Sequence, residues 1–369
     1  MKKAMIARRA LLGAWQVVYA AVDRRATLAV LSGVLLEADA TTQTLRLTAT
    51  DLTIALRAEV QASVEDGFSA VLPAWEFLLW LKALAEGAVT LSVSEADGRV
   101  AAVCGPSRGR FAFIEAEMFP LVDWTLNGLA VSVSGDTFRR MARDVAMAAS
   151  ENDARPVLAG IFLHRDESGR LVAVASDGYR LAVLSSEVEA PEGFEAVVPA
   201  EALRKAAPLV AADDVTLALD GTSMRIALGG GVMMQTQLVD GVYPPYTRVM
   251  PQRFASVLRV QRQALARALR EMEIFAMSSR VVALRWTAES VQLSAASAEL
   301  GRGETAAPAT LEGEPLDIGF NISYLQAAVD AVRGDEVVMR GNTPDGAVVV
   351  QGVGDESFVC VMMPMALER

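Results

Sequence analysis

Apolar residues recur at helical spacing in three segments of the chain, 7–22, 136–149 and 260–277. In the first, Leu11, Trp15, Val18 and Val22 share one face, opposite Lys2, Arg9 and Gln16. In the second, Phe138, Met141, Val145 and Ala149 oppose Arg139, Arg140 and Arg143. In the third, Leu265, Leu269 and Met272 oppose Arg259, Arg262, Arg267 and Arg270. An apolar stripe of period 3.6 backed by polar residues predicts a surface helix in each place. Between the helices, stretches such as Leu45–Thr50 and Leu171–Ser176 alternate with period two and are rich in β-branched residues, which predicts half-buried strands. Shorter helices are expected over 74–85, 200–211 and 323–333, each followed by hairpins. Two of those hairpins are expected to turn at Asp97-Gly98 and Asp345-Gly346.

The same order of elements occurs three times, and the residues repeat with it. Phe68-Ser-Ala-Val-Leu-Pro73-Ala74 recurs as Phe194-Glu-Ala-Val-Val-Pro199-Ala200, an offset of 126. Val89-Thr90-Leu91 recurs at that offset as Val215-Thr216-Leu217, and Thr50-Asp51-Leu52 as Ser176-Asp177-Gly178. A weaker third copy places Asn321 where Pro199 stood and Val337-Val338-Met339 where Val215 stood. Phe119-Pro120, Tyr243-Pro244 and Met363-Pro364 close the copies. The expected domains are therefore 1–125, 126–251 and 252–369, an α+β fold in triplicate with two helices and antiparallel sheets per copy.

Composition removes several classes of chemistry. The chain has 369 residues, of which 52% are hydrophobic and 21% charged, enough for several buried cores and unlike a disordered chain. One histidine, His164, and two cysteines, Cys104 and Cys360, supply no zinc-ligand set, so no metal and no cofactor is expected. Two distant cysteines make no disulfide framework and point to a reducing compartment. Lys2, Lys3, Arg8 and Arg9 ahead of the mostly apolar Leu11–Val22 imitate a secretory signal. Gln16 interrupts that stretch, and Asp23-Arg24-Arg25 stands where a small-residue cleavage site belongs. No other apolar run approaches the ~20 residues that span a bilayer. A cytoplasmic protein with no membrane partner is expected.

Net charge is −11, which taken as a sum argues against a nucleic-acid partner. Its distribution argues the reverse. Residues 2–25 carry +5, 137–143 carry +3 and 259–270 carry +4, so these segments total +12 and the remainder −23. One arginine stripe is an ordinary solvated face. Three, repeated on the opening helix of each copy against an acidic background, point to a shared anionic partner. Arginines on helix faces neutralise phosphates without reading bases, and no zinc finger or aromatic RNA-binding motif accompanies them, so sequence-independent contact is expected.

Further residues carry a family resemblance. Ser176-Asp-Gly-Tyr-Arg-Leu-Ala182, Leu238-Val-Asp-Gly-Val-Tyr-Pro-Pro-Tyr-Thr-Arg-Val249, Gly319-Phe-Asn-Ile-Ser-Tyr324 and Met363-Pro-Met365, on a triplicated chain and in this order, resemble the bacterial DNA sliding clamp, the β subunit of DNA polymerase III. The resemblance covers the whole chain. It implies a head-to-tail homodimer whose six domains form a ring, with helices lining a hole around duplex DNA and sheets outside. It implies a processivity factor, not an enzyme, which tethers the replicative polymerase, the clamp loader and other peptide-motif proteins.

Site residues follow from the resemblance by motif. A partner-peptide cleft between the second and third domains would comprise Leu158, Ser176, Gly178, Tyr179, Arg180, Leu181 and Pro244. Arg248, Val249, Val361, Met363, Pro364, Met365 and Leu367 would complete it. Adaptable methionines suit a groove shared by many partners, although Met362, Met363 and Met365 also read as ordinary C-terminal core. DNA contact is assigned by motif to Arg25, Asn152 and Arg155, by the charge stripes of the opening helices to Arg9, Arg139, Arg140, Arg143, Arg262 and Arg270, and as weaker candidates to Lys82, Arg204 and Lys205 on the second helices. The dimer contact is expected where the strand from Arg108 through Phe111 to Phe113 meets Ile274, Phe275 and Met277. Tyr179 replaces a common histidine and Ala366 a common arginine, which bears on peptide preference.

Other motifs point elsewhere but are incomplete. Gly105-Pro-Ser107-Arg-Gly109 fits the nucleophile elbow G-x-S-x-G, but that motif needs a strand before it, a helix after it and a histidine base. Gly229-Gly-Gly231 lacks the Lys and Ser/Thr of a P-loop, and His164 reads as a surface or turn residue beside Arg165-Asp166. The substantial alternative is an acidic three-domain protein-binding scaffold that does not encircle DNA.

Overall fold

The computed structural model describes residues 2–94, 98–151 and 155–367. The chain divides into two compact units, Met1–Asp136 with Lys205–Leu238, and Thr137–Arg204 with Val239–Arg369.

In the first unit, Lys3–Ala7 pairs between Ser63–Asp66 and Ala88–Ser94, and the sheet continues through Arg99–Cys104 to an edge strand, Ser107–Ala112. A second antiparallel sheet runs from Leu129–Ser134 through Asp214–Asp220, Ser223–Gly229 and Val232–Gln237. It continues through Ile54–Gln61, Thr44–Thr50 and Gly33–Asp39 to Phe68–Pro73. In the second unit, Glu195–Pro199, Gly160–Arg165, Arg170–Ser176 and Arg180–Glu189 lead into Asp355–Met362, and from there into the remaining strands of the third copy. Each long sheet thus runs from one sequence copy into the next, through the pairing of Ile54–Gln61 with Val232–Gln237 and of Arg180–Glu189 with Asp355–Met362. This pairing is why the compact units cut through the middle copy.

The helices are α1 (Arg8–Tyr19), α2 (Ala74–Ala83), α3 (Gly135–Arg140), α4 (Ala200–Ala206), α5 (Arg262–Ala276) and α6 (Ile322–Ala331). The apolar N-terminal stretch is the core face of α1, burying Leu11, Ala14, Trp15 and Val18. The Trp15 indole donates to the Ala74 carbonyl at 2.9 Å, and its ring lies 4.5 Å from Phe77, which fixes α1 to the start of α2. α5 likewise buries Leu265, Leu269 and Met272. The expected 136–149 helix is present as α3, but its hydrogen bonding widens to a π turn over Met141–Val145 before a last 3₁₀ turn, Ala146–Ala148.

Strand passes directly into helix at three repeated places. Pro73 ends one strand at φ −61°, where its missing N–H and fixed φ suit a helix start. Pro199 stands at the same junction before α4. In the third copy Asn321 does the work with its side chain, whose Oδ1 accepts from the N–H groups of Ser323 (3.1 Å) and Tyr324 (3.4 Å). Gly33 and Gly160 open equivalent strands. A Cβ on either would lie 2.4 Å from a valine methyl, of Val71 or of Val197, so neither position has room for a side chain.

Candidate functional site

The sequence Ser176–Leu181 folds as a tight turn. Ser176 Oγ donates to Arg180 O and accepts from the Gly178 N–H, while Asp177 Oδ1 accepts from the Tyr179 and Arg180 N–H groups. Gly178 holds φ +91°, a conformation that favours glycine. Strand pairing sets Arg180 opposite Met362 and Leu181 opposite Val361, and the Met363 N–H donates to Tyr179 O at 2.8 Å. Two residues on, the Met365 N–H donates to Gly319 O at 2.8 Å. These backbone bonds hold residues 362–365 alongside the turn.

Beneath them Leu158, Leu181, Tyr243, Val349 and Val361 form one buried cluster, with Tyr246 and Met250 packed against it. Large apolar side chains stay in solvent at the rim: Tyr179 is 68% exposed, Val249 60% and Met363 47%. Met365 and Leu367 are also exposed, as are Pro244 and Arg248, while Pro364 is half-buried. Arg180 is held on two sides, with Nε 3.0 Å from Asp177 Oδ2 and its guanidinium 3.8 Å from the Tyr324 ring. The result is an apolar cluster rimmed by exposed methionines, with one fixed guanidinium. Tyr243, Tyr324 and Val349 belong to it without having been singled out from sequence. The first two lie in motifs already noted, while Val349 lies in none of them.

His164 differs from expectation. It lies half-buried on Gly160–Arg165, stacked on Phe162 at 4.7 Å, and Phe162 in turn stacks on Tyr243 at 5.0 Å. Its Nδ1 is 3.0 Å from Arg165 O and its Nε2 3.1 Å from the Tyr246 hydroxyl. A carbonyl only accepts, so neutral His164 carries its proton on Nδ1 and accepts from Tyr246 at Nε2. Burial pushes the Tyr243 and Tyr246 phenols above their ordinary pKa, so both stay protonated. Nearby on the Asp355–Met362 strand, burial pushes the Cys360 thiol up to about 12.

The basic residues separate into two kinds. Arg9, Arg25, Lys82, Arg139, Arg155, Arg204 and Arg270 are exposed, and Lys205 and Arg262 are half-buried. Arg262 Nε donates to Gly334 O, Arg270 Nε to Ala266 O and Arg204 Nη2 to Ala146 O, so these stems are fixed by backbone carbonyls. Arg143 is 74% exposed and pairs with Asp144 at 2.6 Å. Arg140 departs from the expected stripe. Its side chain is 7% exposed and pairs with Asp144 (3.3 Å) and Asp355 (3.3 Å), with Nη1 donating to Ser357 Oγ. A buried, doubly paired guanidinium is a packing element, not a phosphate contact. The helical wheel failed here because Asp355 and Ser357 come from a distant strand. Asn152 lies outside the described residues.

The expected dimer residues also divide. Arg108 is exposed on the edge strand, and Ile274 (56% exposed) and Met277 are exposed on α5 and at its C-terminal end. Phe111 alternates to the other face, 4.9 Å from Phe77 and 5.5 Å from Trp80, so it packs within its own unit. Phe113 is half-buried just beyond that strand. Phe275 lies over Gly303, where a Cβ would meet its ring at 2.3 Å. Gly105 and Pro106 form the turn between two paired strands, and Ser107 begins the second of them, so the elbow geometry is not formed. Gly229–Gly231, all at positive φ, is likewise a hairpin turn. Among the described residues no group of three His, Cys, Asp or Glu could hold a metal, and no helix is long and apolar enough to cross a membrane.

Three α+β copies joined by continuous antiparallel sheets, with arginines on their opening helices, define a three-domain DNA clamp fold. Profiles of the DNA polymerase III beta subunit match in succession: the N-terminal domain at residues 2–123, the central domain at 132–245 and the C-terminal domain at 247–366. The chain belongs to the DNA polymerase III beta subunit family. It is 30% identical to the beta sliding clamp of Caulobacter vibrioides over 98% of this chain and 99% of that protein. It is 29% identical to the beta sliding clamp of Pseudomonas putida over 98% and 99%. The crystal structure of the DNA polymerase III subunit beta from Pseudomonas aeruginosa matches with a TM-score of 0.90 at 28% identity, over 99% of this chain and 100% of that one.

Proposed function

We propose that the chain is a processivity factor: a head-to-tail homodimer that encircles duplex DNA, slides without reading sequence and tethers the polymerase and other peptide-bearing partners. The observation that carries this reading is the net positive charge of the opening segments of three copies, +12 together, within a chain of net charge −11 that belongs to the clamp family from end to end. Weak, uniform phosphate contact permits sliding, whereas base-specific contact would stall it. Arg9, Arg25, Arg139, Arg143, Arg155, Arg262 and Arg270 make those contacts, with Lys82, Arg204 and Lys205 assisting. Domains 1–125, 126–251 and 252–369 are the units of the ring.

The groove around Tyr179, Arg180, Met363 and Met365 takes the partner peptide. Its apolar floor accepts large side chains, and exposed methionines adapt to different ones. The dimer forms where the outward residues of the Ser107–Ala112 edge meet the exposed Ile274 and Met277, an edge that a second subunit's strand can extend. The protein performs no catalytic step and acts in the cytoplasm.

Loading onto a nicked circular plasmid by a bacterial clamp loader tests the reading. Retention on the circle and loss on linearisation are expected. Equal retention on both forms would refute encirclement and favour a protein-binding scaffold.

A further inference from the structure

The turn that builds the groove of the second unit is repeated bond for bond in the first, 126 residues earlier. Thr50 Oγ1 donates to Ile54 O and accepts from the Leu52 N–H, and Asp51 Oδ1 accepts from the Thr53 and Ile54 N–H groups. Leu52 holds φ +73° where Gly178 holds +91°, a left-handed conformation that a residue with a Cβ rarely adopts. The Gln237 N–H donates to Thr53 O at 2.9 Å, as Met363 does to Tyr179, and Ala55 pairs with Gln235 as Leu181 does with Val361. The backbone of the groove therefore exists twice.

Its chemistry does not. Leu181, Val361 and Met363 are replaced by Ala55, Gln235 and Gln237, and a pocket opens there, walled by Pro120, Leu121 and Val122. Gln235 lines it with its amide oxygen buried and without a hydrogen-bond partner. Two residues beyond Ala55 on the neighbouring strand, Arg57 is half-buried. Its Nη2 donates to Met233 Sδ, its guanidinium lies 4.9 Å from the Trp124 ring, and its Nε has no partner. No ion pair forms at Arg57 among the described residues, because the neighbouring Glu59 is taken by Arg46 at 2.7 Å. Leu121 is fully exposed and Leu52 is 53% exposed. A half-buried cation without an ion pair, where burial and the charge of Arg46 outweigh the attraction of Glu59 and Glu37, joins an orphaned acceptor and two exposed leucines to specify an occupant.

We propose that this pocket is a second peptide groove, which binds an extended acidic segment. Its carboxylate pairs with Arg57, an N–H meets the Gln235 oxygen, and an aliphatic side chain lies on Leu52 and Leu121. The inference rests on the reading of the Met363 groove as a peptide site. It implies that the two grooves sort partners by chemistry, hydrophobic anchors to one and acidic segments to the other.

The test is a methyl-detected NMR titration of the full chain, labelled at leucine and methionine methyls. The probes are acetyl-Asp-Gln-Ala-Leu-Ala-amide, its Asn-for-Asp counterpart, and acetyl-Ala-Leu-Ala-Leu-Phe-amide. The acidic peptide is expected to shift Leu52 and Leu121 before Met363 and Met365, and the uncharged counterpart to bind about tenfold more weakly. Arg57→Gln should remove that preference, and Leu121→Asp, at a fully exposed position, should block the acidic peptide while the chain stays folded. Unmoved Leu52 and Leu121 methyls, or an acidic preference that survives Arg57→Gln, overturn the proposal. The Leu-Phe peptide separately reports the Met363 groove, so failure of that reading shows as its own silent methyls at Met363 and Met365.

Discussion

Arg140 and Asp144 stand one helical turn apart and meet below the surface, Nε to Oδ2 at 3.3 Å, with side chains only 7% and 2% exposed. The same carboxylate also reaches Arg143, 74% exposed, at 2.6 Å. One acid therefore holds a structural arginine and a solvent-facing one. Removing one partner of a buried pair leaves an uncompensated charge, so Arg140→Met should cost about 3–5 kcal/mol in urea unfolding. A destabilisation below about 1 kcal/mol would show that the pair is dispensable.

Arg139 and Arg9 should behave differently. Both are exposed, so reversal to glutamate should leave the unfolding midpoint nearly unchanged. DNA retention should weaken, and the slope of log affinity against log salt should fall by about 0.9 for each phosphate that is no longer neutralised. An unaltered slope in the Arg9→Glu, Arg139→Glu double variant would place those arginines away from DNA.

Met363 is 47% exposed at the groove wall, with its backbone fixed to Tyr179. Met363→Ala should weaken binding of a Leu-Phe peptide by about 1–2 kcal/mol while changing stability by less than about 0.5 kcal/mol. Fluorescence anisotropy and thermal unfolding on one preparation separate the two effects. Deleting residues 363–369 also removes the Met365–Gly319 bond, so polymerase stimulation should disappear with the groove.

The thiols should be inert in the folded chain. Cys104 and Cys360 are both buried and unpaired, and burial raises the Cys360 pKa to about 12, favouring the neutral thiol over the reactive thiolate. Iodoacetamide at about pH 8, near the ordinary thiol pKa, should label neither in the native protein and both in guanidinium chloride. Native labelling at Cys360 would mean that the strand beneath the groove opens.

Asp123 sets a pH dependence. The Thr125 N–H, the Thr125 hydroxyl and the charge of Arg225 hold its carboxyl below the ordinary value. A depressed folded pKa gives a contribution that is complete above the unfolded pKa, about 4, and disappears as pH falls through the folded one. Asp123→Asn should therefore lower the urea midpoint at neutral pH, and the gap to the parent should close as pH falls below the ordinary carboxylate range. A gap that persists in acid would assign the effect to packing.

Much of the fold was legible because its signals are local. Trp15 and Leu11 fall on one face by helical period, Pro73 and Pro199 mark strand-to-helix junctions, and Asn321 replaces them with a side-chain cap. The groove was legible only through motif, since Leu181 and Val361 share no local pattern and meet through strand pairing. Arg140, Phe111 and His164 depart from the sequence reading for a related reason. Each takes its place from a partner far along the chain, namely Asp355, Phe77 and Tyr246 respectively.

By itself, then, the sequence determined the three copies, their helices and the partition of charge, because periodicity, turn chemistry and repeat spacing act over a few residues at a time. Tertiary structure alone decided which arginine faces water and which is buried. It also decided that one turn recurs in two settings, lined by Leu181, Val361 and Met363 in one and by Ala55, Gln235 and Gln237 in the other. Burial, ion pairing and sheet register depend on what distant strands bring alongside, and helical or strand period carries no information about that.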